Sequence, residues 1–340
     1  MHETSHTPLL EVSDLVKHFA SKGGLFGRKT AAPVQAVDGV SFTLDAGETL
    51  GIVGESGSGK STVVRLIARL LEPTSGEVRF DGDSVLDMSA EELQRFRRDV
   101  QMIFQDPFGS LNPRMTVGQL ISEPWVVHKG VVTPDRHRAE AQELLDRVGL
   151  NPDSVDRYPG DFSGGQRQRI GIARALALKP RLILCDEPVS ALDVSVQAQV
   201  INLLRTIQVE EQISYIFIGH DLSVVRAISD RIGVMYLGRM VEYGTDDEIH
   251  ERTLHPYTKA LLSAVPEIVP HGEGATRERI VLHGAIPSPS NPPSGCRFRT
   301  RCWKAVDRCA QESPDLVAHR GGGHVASCHL PESLPIEVSP

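Results

Sequence analysis

The sequence predicts an α/β fold built on a parallel sheet. Three short apolar runs have the length and composition of buried strands: TLGIV at 49–53, RLILC at 181–185 and SYIFIG at 214–219. An amphipathic helix pattern, STVVRLIARLL, follows the first run, and a further apolar run, VQMIF, lies at 100–104. Parallel sheets in which strands alternate with helices bind ligands at the carboxyl ends of their strands. The residues directly after these runs are therefore candidate site residues.

The loop after the first strand has the spacing of a phosphate-binding loop. Residues 54–61 read G-x-x-x-x-G-K-S between a strand pattern and a helix pattern. The glycines allow backbone N–H groups to point into one concavity, and the helix start adds positive potential. We expect ATP or GTP here, with Lys60 on the β- and γ-phosphates and Ser61 on Mg²⁺. The predicted contact residues are Gly54, Glu55, Ser56, Gly57, Ser58, Gly59, Lys60, Ser61 and Thr62.

Polar residues also end the other predicted strands. Asp186 and Glu187 follow RLILC, so we expect Asp186 to hold Mg²⁺, directly or through water, and Glu187 to polarise the attacking water. Gln105 ends VQMIFQ and is predicted to join Mg²⁺ and that water to the next segment. His220 ends SYIFIGH and is predicted to contact the γ-phosphate. Each could instead be a structural or surface side chain, and the phosphate loop upstream favours the catalytic interpretation.

A further candidate site lies at the start of the helix pattern QRQRIGIARALAL. Ser163, Gly164, Gly165 and Gln166 precede or begin it, and Ser163 is a predicted N-cap. The helix dipole favours a phosphate at this end. An ordinary capped helix is the alternative.

In this order, the motifs closely resemble the ABC transporter nucleotide-binding family. The phosphate loop matches Walker A, Gln105 the Q-loop, Leu182–Asp186 with Glu187 the Walker B strand, and His220 the switch histidine. The resemblance implies a core with an antiparallel strand layer, including LEVSDLVKHF at 10–19 and GEVRFDG at 76–82, and a helical subdomain at about 106–165 that docks on a permease in this family.

The resemblance also assigns roles away from the phosphate loop. Residues 163–166 match the signature, preceded by Phe162 where the family usually has Leu, and residues 190–193 match the D-loop that ends at Asp193. Phe19 falls where the family places an aromatic ring on adenine, although core packing is the alternative. Two such cassettes face each other head to tail, so that Walker A of one and the signature of the other sandwich each ATP.

Three longer segments resemble the oligopeptide/dipeptide importer branch: residues 104–125, 185–200 and 255–266. The resemblance runs from about Leu9 to Leu330. It implies a nucleotide-binding domain at 9–255, a C-terminal extension at 256–340, and three kinds of partner: a second ATPase subunit, two transmembrane permeases and an extracytoplasmic substrate-binding protein. The loop-like insertion Ser21–Phe42 resembles the F-type subunit of this branch.

Four of the five cysteines cluster near the C-terminus, at Cys296, Cys302, Cys309 and Cys328. Clustered cysteines in an intracellular chain suggest a metal rather than disulfides, although the spacing lacks the pairs of common zinc sites. The segment resembles an extension that in some relatives carries a [4Fe–4S] cluster, which four thiolates suit. Zinc or no metal are the alternatives. His324 and His329 are expected to be solvated, and Cys185 to be a buried apolar residue.

Charge and hydropathy exclude some classes of function. The net charge of −8 does not suit a nucleic-acid binder, and no apolar run approaches the length of a membrane span. The N-terminus lacks a signal-peptide core, so we expect the chain at the cytoplasmic face of the cell membrane, held there by permeases. The alternatives are an importer of another small solute, such as nickel or a glycoside, a non-transport ABC ATPase of DNA repair or translation, and a regulatory nucleotide-binding module without hydrolysis.

Overall fold

The computed structural model describes residues 7–20, 32–265, 279–319 and 323–331. The strands in these ranges are β1 (Leu10–Phe19), β2 (Val34–Leu44), β3 (Thr49–Val53), β4 (Ser75–Phe80), β5 (Asp83–Ser84), β6 (Val100–Ile103), β7 (Leu182–Asp186), β8 (Ser214–Gly219), β9 (Arg231–Tyr236), β10 (Arg239–Thr245), β11 (Val317–Ala318) and β12 (Val325–Ala326). The α-helices are α1 (Lys60–Ile67), α2 (Ala90–Asp99), α3 (Pro107–Ser110), α4 (Val117–Val127), α5 (His137–Arg147), α6 (Gly164–Leu176), α7 (Val194–Glu211), α8 (Leu222–Arg226), α9 (Asp246–Glu251), α10 (Pro256–Ser263) and α11 (Asp307–Gln311).

The larger sheet contains the predicted parallel core. Its strand order is β11-β12-β10-β9-β3-β8-β7-β6, and the strands from β9 to β6 pair in parallel. Every residue of β3, β7 and β8 is buried, as expected of strands covered on both faces. The carboxyl ends of the three strands therefore lie at one edge, which confirms the predicted fold class.

The smaller sheet is the predicted antiparallel layer, in the order β2-β1-β4-β5. Leu10 of β1 lies opposite Leu44 of β2 and Phe80 of β4, and all three side chains are buried. The loop-like interpretation of Ser21–Phe42 is wrong for its second half, because residues 34–42 belong to β2. Alternating buried side chains such as Val40 and Phe42 make this half a strand. Residues 21–31 lie outside the described residues.

The region between β6 and β7 is mainly helical, as predicted. Helices α3 to α5 and short 3₁₀ turns at Pro152–Asp156 and Pro159–Asp161 lead to α6. Trp125 of α4 is buried and its indole N–H donates to the carbonyl of Ala177 at 2.6 Å, which ties this region to the end of α6. No helix in the part of the chain that the structure describes combines the length and apolarity needed to cross a membrane.

The C-terminal segment is packed onto the rest of the chain. Strand β12 pairs with β10, and the buried Phe298 ring packs against Tyr236 and Tyr257, with ring centroids 5.3 and 5.4 Å away. Aromatic contacts of this kind add to the burial energy of the rings. Phe298 thus belongs to the same hydrophobic core as the parallel sheet.

A buried carboxylate anchors the end of this segment. Glu242 of β10 is fully buried and accepts hydrogen bonds from the Thr253 hydroxyl (3.0 Å) and from the backbone N–H groups of Leu254 (2.6 Å) and His255 (3.0 Å). His324 Nε2 lies 2.8 Å from Oε1 of the same Glu242 carboxylate. The expectation that His324 is solvated is therefore wrong: the ring is 7% exposed, because it satisfies a carboxylate that would be costly to bury alone.

We predict that His255 makes the fold acid-sensitive. Its ring is buried, and Nδ1 accepts the backbone N–H of Tyr257 at 3.1 Å, which requires a neutral imidazole. Burial lowers the pKa of His255 from 6.5 to about 4. The unfolded chain takes up this proton at higher pH than the folded chain does. The contribution of His255 to the free energy of unfolding is therefore complete above pH 6.5 and is lost as the pH falls towards 4.

The measurement is urea unfolding of His255→Asn, which keeps an N-cap acceptor, beside wild type and the exposed-site control His283→Asn. Between neutral pH and pH about 4.5, wild type and the control should lose roughly 2 to 3 kcal/mol more stability than His255→Asn. Parallel pH profiles for all three proteins would contradict the assignment.

Candidate functional site

The phosphate loop has the backbone that its glycines predict. Gly54, Gly57 and Gly59 have φ values of 154°, 80° and 105°, which side-chain-bearing residues rarely adopt. A Cβ on Gly59 would lie 2.1 Å from the carbonyl oxygen of Ala36. The loop is held from outside by the Gly238 N–H, which donates to the Ser58 carbonyl at 2.8 Å. These constraints leave a preformed loop between β3 and α1.

Lys60 lies inside this loop and is 4% exposed. Its Nζ donates to the carbonyls of Gly54 (2.7 Å) and Glu55 (3.1 Å). Burial lowers the pKa of Lys60, while the carboxylates of Glu187, Asp186 and Glu55 oppose that shift. The ammonium is therefore a point charge held at the loop, suited to a phosphate.

Asp186 offers a site for a cation. Its carboxylate is 1% exposed, and Oδ1 accepts the Ser61 hydroxyl at 2.6 Å. Its Oδ2 accepts no hydrogen bond from the described residues, although Nη2 of Arg65 lies 3.6 Å away. Such a buried, unsatisfied oxygen beside a hydroxyl fits Mg²⁺, which binds proteins through few oxygen ligands and completes its shell with phosphates and water. Sequence reasoning did not select Arg65, although it lies one helical turn after Ser61.

Glu187 is placed beside both other predicted catalytic residues. It has a left-handed backbone with φ of 48°, which a side-chain-bearing residue adopts at some cost in strain. Its Oε2 accepts the Gln105 amide at 2.9 Å and lies 3.8 Å from His220 Nδ1. The structure thus brings Gln105, Glu187 and His220 together, as the strand ends predict, with Gln105 bound to Glu187 rather than to Asp186.

Gln105, Glu187 and His220 line a cleft of about 300 Å³. Its lining includes Val34, Ala36 and Pro289, which sequence reasoning missed because no local motif marks them. The described residues that line the cleft do not include Phe19, whose ring is exposed at the end of β1, with Lys17 Nζ 5.2 Å from its centroid. The remaining lining residues are Ser56, Gly57, Gly59, Lys60, Ser61 and Thr62.

The predicted signature lies on a different surface. Ser163 caps α6 and forms a capping box with Gln166, and Phe162 is buried, as an apolar packing residue should be. Gly165 lies against α7, since a Cβ on it would come within 2.4 Å of Val196. The exposed Asp193 precedes that helix. Signature and D-loop therefore adjoin each other, and neither lines the cleft of its own chain.

The four C-terminal cysteines carry free thiols, and the backbone N–H of Cys296 donates to the Cys309 carbonyl at 2.8 Å. Burial raises the pKa of Cys296, and the nearby Cys309 and Cys302 raise it further. Burial raises the pKa of Cys328 to about 11, with Cys296 and Cys302 adding to the shift. The antiparallel pairing of β11 with β12 lies just before Cys328, and β12 also pairs with β10 of the larger sheet. Even so, no group of three or more His, Cys, Asp or Glu side chains in the described ranges is arranged to hold a metal ion.

Cys185 is fully buried in β7, as predicted. Burial and the adjacent Asp186 raise the pKa of its thiol, so the neutral form persists at ordinary pH. It therefore acts as a small apolar residue next to Asp186 at the end of β7.

The structure also adds a contact that no motif predicted. Arg301, between two of the cysteines in sequence, donates to both carboxylate oxygens of Glu55 in the phosphate loop, at 2.6 and 3.1 Å. The two residues are 246 positions apart, so only the tertiary fold brings them together.

Two family models match this chain. One, described as "ABC transporter", matches residues 37–190, and the other, "Oligopeptide/dipeptide transporter, C-terminal region", matches residues 241–309. The oligopeptide transport ATP-binding protein AppF of Bacillus subtilis is 53% identical over 97% of this chain and 99% of its own length. A putative peptide import ATP-binding protein of Brucella ovis is 50% identical over 95% of this chain and 98% of its own length.

Solved structures give the same likeness. The ATP-binding cassette MJ0796, in a dimeric post-hydrolysis state bound to ADP and Pi, has a TM-score of 0.61 and is 31% identical. The match covers 69% of this chain and 98% of that one. The cassette cbiO1 from Clostridium perfringens, part of a transporter complex, has a TM-score of 0.60 at 28% identity and covers 71% of this chain and 90% of its own.

We predict that Lys60→Ala weakens nucleotide binding. The variant loses a hydrogen bond from a charged group, worth about 1.5 to 3 kcal/mol, so the dissociation constant for ATP should rise roughly tenfold to hundredfold. Calorimetry on the purified chain measures it, with Lys129→Ala as a control, because Lys129 is exposed and remote from the loop. Unchanged ATP affinity in Lys60→Ala would exclude the phosphate-loop role.

Proposed function

Because this chain belongs to the ABC transporter family, matching its oligopeptide-transport ATP-binding members over nearly its full length, we propose that it is the ATP-hydrolysing subunit of an importer for dipeptides or oligopeptides. The observation that carries the proposal is the joint match of an intact ATPase site and a C-terminal region typical of peptide transporters. The same C-terminal match favours peptides over nickel or glycosides as the imported solute.

In this proposal, the site residues divide the chemistry between them. The phosphate-loop amides and Lys60 bind the β- and γ-phosphates. Ser61 and Asp186 would hold Mg²⁺, which would supply positive charge to neutralise the phosphates. Glu187 orients the attacking water and takes up its proton. Gln105 fixes the Glu187 carboxylate through its amide, and His220 reaches the γ-phosphate from its exposed position beside Glu187. Phe19, which pairs across the sheet with the cleft-lining Val34, stacks on adenine.

A second cassette completes each site. Ser163 to Gln166 lie on another surface than the cleft, so they can serve only the nucleotide of a partner, with Asp193 at the same junction. Dimeric arrangement is known for the structural neighbour MJ0796. We infer a heterodimer in which this chain is the F-type subunit, which the likeness to AppF supports.

Membrane subunits supply the remaining parts of the transporter. Two permeases hold the cassettes at the cytoplasmic face of the inner membrane, and an extracytoplasmic binding protein delivers the peptide. The permease contact proposed here is a groove of about 930 Å³ on the helical region, between α4, α5 and the 3₁₀ turn at Pro152–Asp156. Val126 and Val127 at this groove are each 62% exposed, which suits an apolar helix of a permease rather than water.

We predict that Glu187→Gln binds ATP but hydrolyses it about 10² to 10⁴ times more slowly, because the general base is lost. ATP should then trap a closed dimer, visible by size-exclusion chromatography of the chain with its partner ATPase. Glu251→Gln, at an exposed carboxylate far from the cleft, is the matched control and should turn over normally. Wild-type turnover by Glu187→Gln in the assembled transporter would remove Glu187 from the reaction.

We also propose that Cys296, Cys302, Cys309 and Cys328 hold a [4Fe–4S] cluster with a structural role. The backbone hydrogen bond from Cys296 to Cys309 and the effect of Cys302 on the pKa values of both Cys296 and Cys328 support the proposal. The thiol positions would have to close further around the cluster, since the described residues contain no arranged metal-binding group. When bound, such a cluster would crosslink the segment through four thiolates.

Anaerobic purification followed by iron and sulfide analysis tests this. We expect about four irons and four sulfides per chain. Cys296→Ser should lose them, whereas Cys185→Ala, which alters a buried strand cysteine, should retain them. Stoichiometric zinc, or metal-free chain with disulfides, would overturn the cluster and leave the ATPase proposal untouched.

A further inference from the structure

We propose that Arg301 is a positioning residue for the ATP site, which it controls by neutralising and holding Glu55 of the phosphate loop. The inference rests on the proposed ATPase function and extends it to the cysteine-bearing segment. Arg301 directly precedes Cys302, so the segment that carries the thiols also carries the contact to the loop.

The contact has the geometry of a strong ion pair. Two guanidinium nitrogens of Arg301 meet the two carboxylate oxygens of Glu55, at 2.6 and 3.1 Å. The Arg301 side chain is only 8% exposed and Glu55 26%. The guanidinium carbon also lies 5.9 Å from the ring centroid of the buried Tyr236. Fork-shaped pairing and partial burial make this pair more specific than ordinary surface ion pairs.

The same loop residue is held at its backbone. The Glu55 N–H donates to the Tyr257 hydroxyl at 2.9 Å, and the Glu55 carbonyl accepts Lys60 Nζ at 3.1 Å. A shift of Glu55 therefore moves the carbonyl on which Lys60 rests. Arg301 acts on the phosphate-binding lysine through one intervening residue.

A second arginine fixes the position of the segment. Arg297 binds Asp38 and the Leu237 carbonyl, and it donates to Gln35 Oε1 at 2.6 Å. The Gln35 N–H in turn donates to the carbonyl of Pro289, a cleft-lining residue, at 3.0 Å. The segment thus touches both the loop and the β2 wall of the cleft, so Arg301 is presented to Glu55 from a fixed base.

Charge explains why the pair should matter for ATP. Glu55 is an anion in a loop that must accept the negative charges of a triphosphate, and like charges at close range oppose binding. Arg301 compensates that charge, and neither member of the pair is among the described residues that line the cleft. Removing Arg301 leaves Glu55 uncompensated and freer to move, whereas removing both charges restores the balance.

The test is a double-mutant cycle on the full chain. Arg301→Gln should raise the dissociation constant of ATP roughly fivefold or more, with little effect on adenosine, which has no phosphates. In the double variant Arg301→Gln/Glu55→Gln, ATP affinity should recover most of this loss. In the assembled transporter, Arg301→Gln should raise KM rather than lower kcat. Arg308→Gln, at an exposed arginine of the same segment, is the matched control.

Two results would overturn the proposal. One is wild-type ATP affinity in folded Arg301→Gln. The other is a loss of affinity that is equally large for adenosine and that adding Glu55→Gln does not recover, because such a loss would make Arg301 merely structural. If Arg301→Gln does not fold, Arg301→Lys decides the matter: because it keeps the charge beside Glu55, its dissociation constant for ATP should stay within roughly fivefold of wild type, and a larger loss would count against the proposal. Lys60→Ala separates failure of the Arg301 proposal from failure of the proposed ATP site: normal ATP binding by Lys60→Ala would reject the ATP site itself.

Discussion

The parallel register of four strands is the constraint on which the candidate site depends. Val53 at the end of β3 lies beside Gly219 of β8, and Asp186 at the end of β7 lies beside Ile218. Ile103 of β6 is in register with Cys185. Because these hydrogen-bonded strands end together, the residues that follow them converge at one edge of the sheet. A slip of one residue would turn every side chain of a strand to the opposite face.

Charge balance is the second constraint on this edge. Glu55, Asp186 and Glu187 are carboxylates gathered around a loop that should accept an anionic ligand. Only cations make this arrangement compatible with phosphate. Lys60 lies within the loop, Arg65 lies near Asp186, and Arg301 pairs with Glu55. The unsatisfied Oδ2 of Asp186 leaves a place for one further positive charge.

The C-terminal segment is integrated with the cassette rather than appended to it. Glu242 would be costly to bury without its donors, and His324 supplies one of them from the far end of the chain. Phe298 packs against both Tyr236 and Tyr257 in the core, and Arg297 bridges to β2. A segment anchored by burial, charge and β pairing at once is well placed to act on the phosphate loop.

The sequence by itself determined the fold class and most of the catalytic edge. Apolar runs followed by Lys60, Asp186, Glu187 and His220 are local patterns, and local patterns specify strands, loops and caps. The N-cap at Ser163 is predictable for the same reason.

Only the tertiary structure decided the contacts between distant parts of the chain. The burial of His324, the cleft wall at Pro289 and the pairing of Arg301 with Glu55 all involve partners far away in sequence. Such contacts leave no periodicity or spacing behind, because each depends on how separate elements pack. The thiols show the same limit: their spacing indicated a cluster in the sequence, while their distances and orientations depend on how β12 pairs with β11 and β10.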